Sequence, residues 1–306
     1  MNDRALQLLT MESPFAEQHH TLHLLEPQGS SHEMLWDRLF SRGYDKPFIV
    51  DAGTQRRLQF DLYTVQSAMH RGHPDRLILP YTRKMMAFLL FNRTPSRILL
   101  LGLGGGSLAK FCYRRLPGTA VTAVEVNPDV IALRDEFQIP QDNDRFRVLR
   151  ANAADYLAQL SRSKDVIMAD ACDREGIAPE LDAVEFYQNA HRCLSDEGVF
   201  VANMCGDPNN CATHIEKIRS VFGNHLMTLQ VRPDGNVIVF AFKERKPEID
   251  GEQIVATAFR LKRRLGLNFP RYLRRIALNW KWLSHELLPA GASRAIECLP
   301  DLRQRG

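Results

Sequence analysis

Between residues 97 and 242 the chain alternates short apolar runs with amphipathic stretches. The apolar runs are Arg97–Leu101, Ala120–Val126, Arg145–Leu149, Asp165–Ala169 and Gly198–Asn203. None alternates strictly between apolar and polar residues, so each predicts a strand buried on both faces. Each is followed by apolar residues at helical spacing, over 107–115, 128–137, 153–160, 183–193 and 211–222; a loop, 171–181, precedes the fourth of these. Repeated strand–helix units predict a mostly parallel sheet with helices on both faces. The end breaks the rhythm. Segments His225–Val231 and Val237–Phe242 are joined by Arg232-Pro-Asp-Gly-Asn236, and an Asp-Gly turn predicts an antiparallel hairpin.

A parallel sheet closed by such a hairpin is an α/β chain of the class I methyltransferase type of Rossmann fold, not the dehydrogenase type. Before it lies a smaller β-rich region. Ser30-Ser31-His32-Glu33 reads as a helix start, with Met34, Leu35, Leu39 and Phe40 on its face and an end near Gly43. Phe48–Val50 and Arg57–Phe60 flank Asp51-Ala-Gly53-Thr54 as a hairpin, Tyr63–Gln66 adds strand, and Pro80 suits the first turn of a helix over Tyr81–Phe91. After the hairpin, Leu261, Leu265, Ile276 and Trp280 fall at helical spacing. The chain thus divides into an N-terminal region, 1–92, a Rossmann-like body, 93–243, and a helical tail, 244–306.

The net charge of +4 is uneven. From Lys243 onward there are 14 Lys and Arg against 7 Asp and Glu, so the basic excess sits in the tail. Interleaved leucines and tryptophans suit helices packed on the body better than a nucleic-acid arm. No apolar run reaches ~18 residues, so no membrane span is expected, and the first residues lack the pattern of a secretory leader. The expected compartment is the cytoplasm. The six cysteines form no CxxC pair and are expected to be reduced. No cysteine or carboxylate motif supports His19, His20 and His23, or His70 and His73, as a metal site, so none is expected.

The chemistry collects at strand ends, where ligands of such sheets bind. The first strand runs into Gly102-Leu-Gly104-Gly105-Gly106-Ser107, a nucleotide-type loop that lets backbone approach a ligand and then opens a helix. The second ends at Glu125, 23 residues after Gly102, where a carboxylate can take two ribose hydroxyls. The third ends at Asn152-Ala153, where an amide can read an adenine edge. The fourth ends at Asp170, with Asp173 three residues on. Together they point to an S-adenosyl ligand. A dinucleotide fits less well, because the third glycine of its fingerprint would fall on Ser107.

These residues resemble the polyamine aminopropyltransferases, the spermidine synthase family, over roughly residues 47–242. Gln66 and Tyr81-Thr-Arg-Lys-Met85 resemble the family's N-terminal region and its Y-H-E-M segment. The glycine loop is similar to G-G-G-D-G-G, Val124-Glu-Val-Asn-Pro128 to V-E-I-D, Asp170-Ala-Cys-Asp173 to D-S-x-D, and Val184-Glu-Phe-Tyr187 to a later E-F-Y. The resemblance implies transfer of an aminopropyl group from decarboxylated S-adenosylmethionine to an amine, with Asp170 as base and Tyr81 beside it. It implies that Gln66, Tyr81 and Asp173 hold the amine, and that the chain is a homodimer. Gly102, Gly104, Gly105, Gly106, Glu125, Asn152 and Ala153 would hold the donor.

Three positions depart from the family. The loop has no acid for the donor's ammonium, and the family's His and Glu after the Tyr are Thr82 and Arg83. An acid-free loop suits a donor that still has its carboxylate. Two alternatives therefore stand beside aminopropyl transfer: S-adenosylmethionine-dependent methyl transfer, and a non-catalytic nucleotide-binding scaffold.

Overall fold

The computed structural model describes residues 8–13, 20–161, 164–171, 177, 181–232, 235–244 and 251–283, with side chains to residue 277. Its centre is a seven-stranded sheet. The strands are β6 (Arg97–Leu101), β7 (Ala120–Glu125), β8 (Phe146–Arg150), β9 (Lys164–Ala169), β10 (Leu194–Met204), β11 (Leu226–Gln230) and β12 (Val237–Phe242), in the spatial order β11-β12-β10-β9-β6-β7-β8. β8, β7, β6, β9 and β10 are parallel, while β12 is antiparallel to both β10 and β11. This is the closing hairpin that the Asp-Gly turn predicts.

Burial explains the missing alternation. Ile98 and Leu100 of β6 join one core, with Val166 and Met168 of β9 and Val199 and Val201 of β10. Leu99, Leu101, Ile167, Ala169, Phe200 and Ala202, on the other face, join a second core. Helices α5 (Ala153–Gln159), α6 (Val184–Cys193) and α7 (Pro208–Phe222) contribute Leu157, Phe186 and Ile218 to the second core. Helix α3 (Ser107–Arg115) contributes Leu108, Phe111 and Cys112 to the first. The helix expected over 128–137 is shorter: α4 spans Pro128–Ala132 and is capped by Asn127, whose side chain accepts from the amides of Asp129 and Val130.

The N-terminal region is a five-stranded antiparallel sheet of β1 (Leu9–Glu12), β2 (His20–Leu24), β3 (Phe48–Ala52), β4 (Gln55–Gln59) and β5 (Val65–His70), with α1 (His32–Phe40). β1 and β2 carried no clear signal in the sequence. The expected hairpin is β3–β4, with Gly53 at φ +58° in its turn. The helix expected over 81–91 divides into α2 (Pro80–Met85) and a tighter 3₁₀ turn, Met86–Leu90. Ile49, Leu58, Met69 and Leu77 belong to the first core of the body, so this region is not a separate globule. Arg56 on β4 adds a polar tie, pairing with Asp51 on β3 and Glu136 in the body.

The tail forms α8 (Gly251–Leu265) and α9 (Phe269–Leu283). Ile254, Ala258, Leu261 and Leu265 of α8, and Phe269, Leu273 and Ile276 of α9, are buried in the first core, while Arg260, Arg263, Arg264 and Arg271 face solvent. The side chain of Trp280 lies outside the described residues. Among the described residues no helix is long and apolar enough to cross a membrane.

Candidate active site

One cavity of about 940 Å³ opens at the carboxyl ends of the parallel strands, under the N-terminal sheet. Its size suits a drug-sized or nucleoside ligand. Gln66, Tyr81, Gly102, Gly104, Glu125, Asn152, Ala153 and Asp170 all line it. The region 1–92 thus roofs a site whose floor is the sheet edge. Asp173 lies outside the described residues.

The glycine loop is built by contact as well as by turn geometry. Gly102 has φ +99°, and a Cβ there would stand 2.9 Å from the carbonyl carbon of Asp170, so only glycine lets β6 end against that backbone. Gly105 and Gly106 do not line the cavity. A Cβ on Gly105 would lie 2.8 Å from Ser67 Oγ and 2.9 Å from the Phe137 ring, and one on Gly106 would lie 2.5 Å from Ile139. At these two glycines the missing Cβ makes room for neighbouring side chains. Ser67 and Ser107, both on the cavity wall, face each other with their hydroxyl oxygens 3.2 Å apart.

Glu125 accepts from the amide of Leu103 at 3.0 Å through Oε2 and from that of Asn127 at 2.9 Å through Oε1. These bonds fix the carboxylate plane and use two of about four lone-pair directions. A diol can take the others. Val126 beside it lines the cavity and is 53% exposed, an apolar surface ready for a ring. Asn152 also has a local structural role. Its Oδ1 caps α5, accepting from the amides of Ala154 (2.8 Å) and Asp155 (3.3 Å), which leaves its NH₂ as the group free for a ligand.

Asp170 stands beyond the end of β9 and accepts a hydrogen bond from Tyr81 and one from Asn203 Nδ2, the latter at 3.0 Å. Burial outweighs both bonds and pushes its pKa up to about 6. The Tyr81 phenol is held well above its ordinary range by burial first and by the Asp170 charge second, so it stays a donor. Its hydroxyl is also 3.5 Å from the Gln66 carbonyl oxygen. A carboxylate poised near neutrality beside a protonated phenol can accept a proton from a bound amine.

Asn203 and Asn236 line the cavity too, and neither is among the site positions singled out from the sequence. Asn203 is the penultimate residue of the fifth parallel strand, β10, at the same edge as the other four functional positions. The sequence marks that strand end, and the position was readable by the same rule. Asn236 sits in the β11–β12 connection, and only the folded hairpin brings it in, its Nδ2 donating to Asn203 Oδ1 at 3.0 Å. Cys205, also on the wall, is disulfide-bonded, which departs from the expectation of reduced thiols; Cys112, Cys193 and Cys211 are free.

Residues 79–233 match the model of the spermine/spermidine synthase domain. The chain is 37% identical over 229 residues to the polyamine aminopropyltransferase of Chromobacterium violaceum, covering 74% of this chain and 88% of the relative. Among solved structures it is similar to a spermidine synthase in complex with the transition-state analogue AdoDATO, with TM-score 0.58 and 21% identity over 82% of this chain and 84% of that one. It is also similar to human methyltransferase-like protein 13 in complex with SAH, with TM-score 0.56 and 25% identity, over 62% of this chain and 93% of that one.

Proposed function

The chain belongs to the spermine/spermidine synthase family, and from that membership we propose that it is an aminopropyltransferase that uses Asp170 as its base. The observation that carries the reading is the carboxylate of Asp170 on the wall of the cavity that also holds the glycine loop and Glu125.

The donor in this reading is decarboxylated S-adenosylmethionine, a co-substrate. The free lone pairs of Glu125 take the ribose hydroxyls, Val126 and Ala153 border the adenine, and the Asn152 NH₂ reaches a ring nitrogen. The amine lies between Tyr81, Gln66 and Asp170. Its nitrogen lone pair attacks the methylene carbon next to the sulfonium. The new C–N bond forms as the C–S bond breaks, and that bonding pair stays on sulfur, leaving neutral methylthioadenosine. The proton shed by the nitrogen goes to Asp170. With a carboxyl pKa of about 6, Asp170 is ionised at neutral pH yet basic enough to accept it. Asp173 belongs to the amine site in this reading by resemblance alone, and the active unit is a homodimer, which sedimentation tests.

A second reading, methyl transfer from S-adenosylmethionine, is favoured by one observation. Position 105 has no room for a side chain, so the loop carries no acid where the family carries Asp, and the Ser67–Ser107 pair supplies neutral hydroxyls there. Calorimetric titration with decarboxylated S-adenosylmethionine, S-adenosylmethionine and methylthioadenosine separates the two. Tighter binding of the decarboxylated donor and of methylthioadenosine supports aminopropyl transfer. Preference for S-adenosylmethionine, by tenfold or more, replaces it with methyl transfer. Binding of none leaves the scaffold reading.

A further inference from the structure

The parallel pairing of β9 and β10 sets Ala169 beside Ala202, so Asp170 and Asn203 follow side by side at the cavity edge. The antiparallel pairing of β10 with β12 sets Asn203 opposite Ile238, two residues beyond Asn236. A chain of side-chain amides results. Asn236 Nδ2 donates to Asn203 Oδ1, and Asn203 Nδ2 donates to Asp170 Oδ1, both at 3.0 Å. The two bonds have one consistent sense when Asp170 is ionised: the carboxylate only accepts, so Asn203 turns its NH₂ toward it and its oxygen toward the Asn236 NH₂, which holds it there. In the flipped orientation an amide oxygen would face a carboxylate oxygen, an arrangement that only a protonated Asp170 could satisfy.

We propose that Asn203 and Asn236 are positioning residues for Asp170, a two-amide relay that holds its carboxylate ionised and aimed into the cavity. The closing hairpin thereby takes part in the chemistry of the parallel sheet. Asn203 is 4% exposed, so its amide is held by its neighbours rather than by bulk solvent. Among the described residues the titratable group facing Asp170 is Tyr81, on α2, which stays protonated and is common to every variant below. The hairpin does not need the Asn236 side chain: its backbone carbonyl accepts from the Val231 amide at 2.8 Å, and the Gly235 amide donates to the Val231 carbonyl. Substitution at 236 therefore leaves the turn intact.

The inference rests on Asp170 being the base, and its test separates the two claims. Asn203→Leu, Asn236→Ala and Asn236→Asp are compared with wild type in two measurements. The first is the pH dependence of kcat. A hydrogen bond to a charged group corresponds to roughly one pK unit. The acid limb is expected to move up by about one pH unit in Asn203→Leu and by about half a unit in Asn236→Ala, with KM for both substrates changed less than about threefold. Asn236→Asp is expected to shift it at least as far as Asn203→Leu, because an acceptor at 236 turns the Asn203 amide round. The second is a carbon-13 carboxyl titration of the ligand-free protein by NMR, with the Asp170 signal identified by its absence in Asp170→Asn. It is expected to show the same upward shifts whatever the reaction is. Loss of turnover in wild type with these NMR shifts present overturns the function and keeps the relay. An Asp170 titration unchanged in Asn236→Ala and Asn236→Asp, both folded by circular dichroism, overturns the relay.

Discussion

The Asp170 carbonyl lies against the α-carbon of Gly102, so close that a Cβ at 102 would stand 2.9 Å from the carbonyl carbon and overlap its oxygen. The contact continues the sheet, since the amide of Asp170 donates to the Leu101 carbonyl at 2.9 Å. The loop glycine and the candidate base therefore share one backbone position. Gly102→Ala is expected to push the Asp170 backbone aside as well as strain a residue at φ +99°. We expect a loss of about 1–3 kcal/mol in stability and at least about tenfold in kcat, because backbone will not yield as a side chain does. Urea unfolding and steady-state kinetics on the same preparation measure both. A variant with wild-type kcat contradicts the shared-backbone account.

Asp170→Asn separates activity from stability. The carboxyl titrates near 6 in the folded chain and near 3.8 when unfolded. Between those values folding takes up a proton, so this group's contribution falls as pH rises from about 4 to 6 and remains a cost above 6. Removing the charge is expected to stabilise the protein at pH 8 by about 1–3 kcal/mol and to leave it near wild type at pH 4. Over the same change kcat is expected to fall by about 10² to 10⁴. Chemical denaturation at the two pH values gives the first result and turnover at pH 8 the second.

Lys110 on α3 is fully buried, donating to the Phe137 carbonyl and to Met69 Sδ. Burial pulls its pKa from 10.5 to about 7, with the neighbouring Arg114 adding to the effect. The unfolded chain protonates this lysine below about 10.5, the folded one only below about 7. Unfolding thus takes up a proton between those values, stability rises with pH across that window, and the full cost stands below 7. Lys110→Met is expected to remove this slope and to raise the urea midpoint at pH 7 more than at pH 10.

Gly105→Asp puts the family's acid back into the sequence at a place with no room for it. With Ser67 Oγ at 2.8 Å and Phe137 at 2.9 Å from the new Cβ, the substitution is expected to destabilise by about 1–3 kcal/mol. It is not expected to tighten binding of the decarboxylated donor. Adding Ser67→Ala is expected to recover part of the stability, which thermal melting of the single and double variants reports.

What was legible in the sequence followed from local chemistry. The glycine loop, Glu125 and Asp170 each stand at the end of an apolar run, so strand periodicity alone put them at one edge. The Asp-Gly turn announced the hairpin in the same way. The strand-end rule places Asn152 at the cavity but does not show that its oxygen is engaged in capping α5, which leaves its NH₂ for a base. That Ser67 and Phe137 also crowd Gly105 is not visible in the sequence, because they meet it from distant parts of the chain. Strands β1 and β2 are only four and five residues long, so the alternation of Leu9 and Met11 or of Leu22 and Leu24 is too brief to stand out in the sequence. Asn236 required knowing the register of β12 on β10.

The most direct test is product analysis by mass spectrometry after incubating the purified protein with decarboxylated S-adenosylmethionine and a panel of diamines. Aminopropyl transfer predicts methylthioadenosine and an amine heavier by one aminopropyl group, in equal amounts, with both lost in Asp170→Asn. Formation of S-adenosylhomocysteine from S-adenosylmethionine, with no methylthioadenosine from the decarboxylated donor, contradicts it.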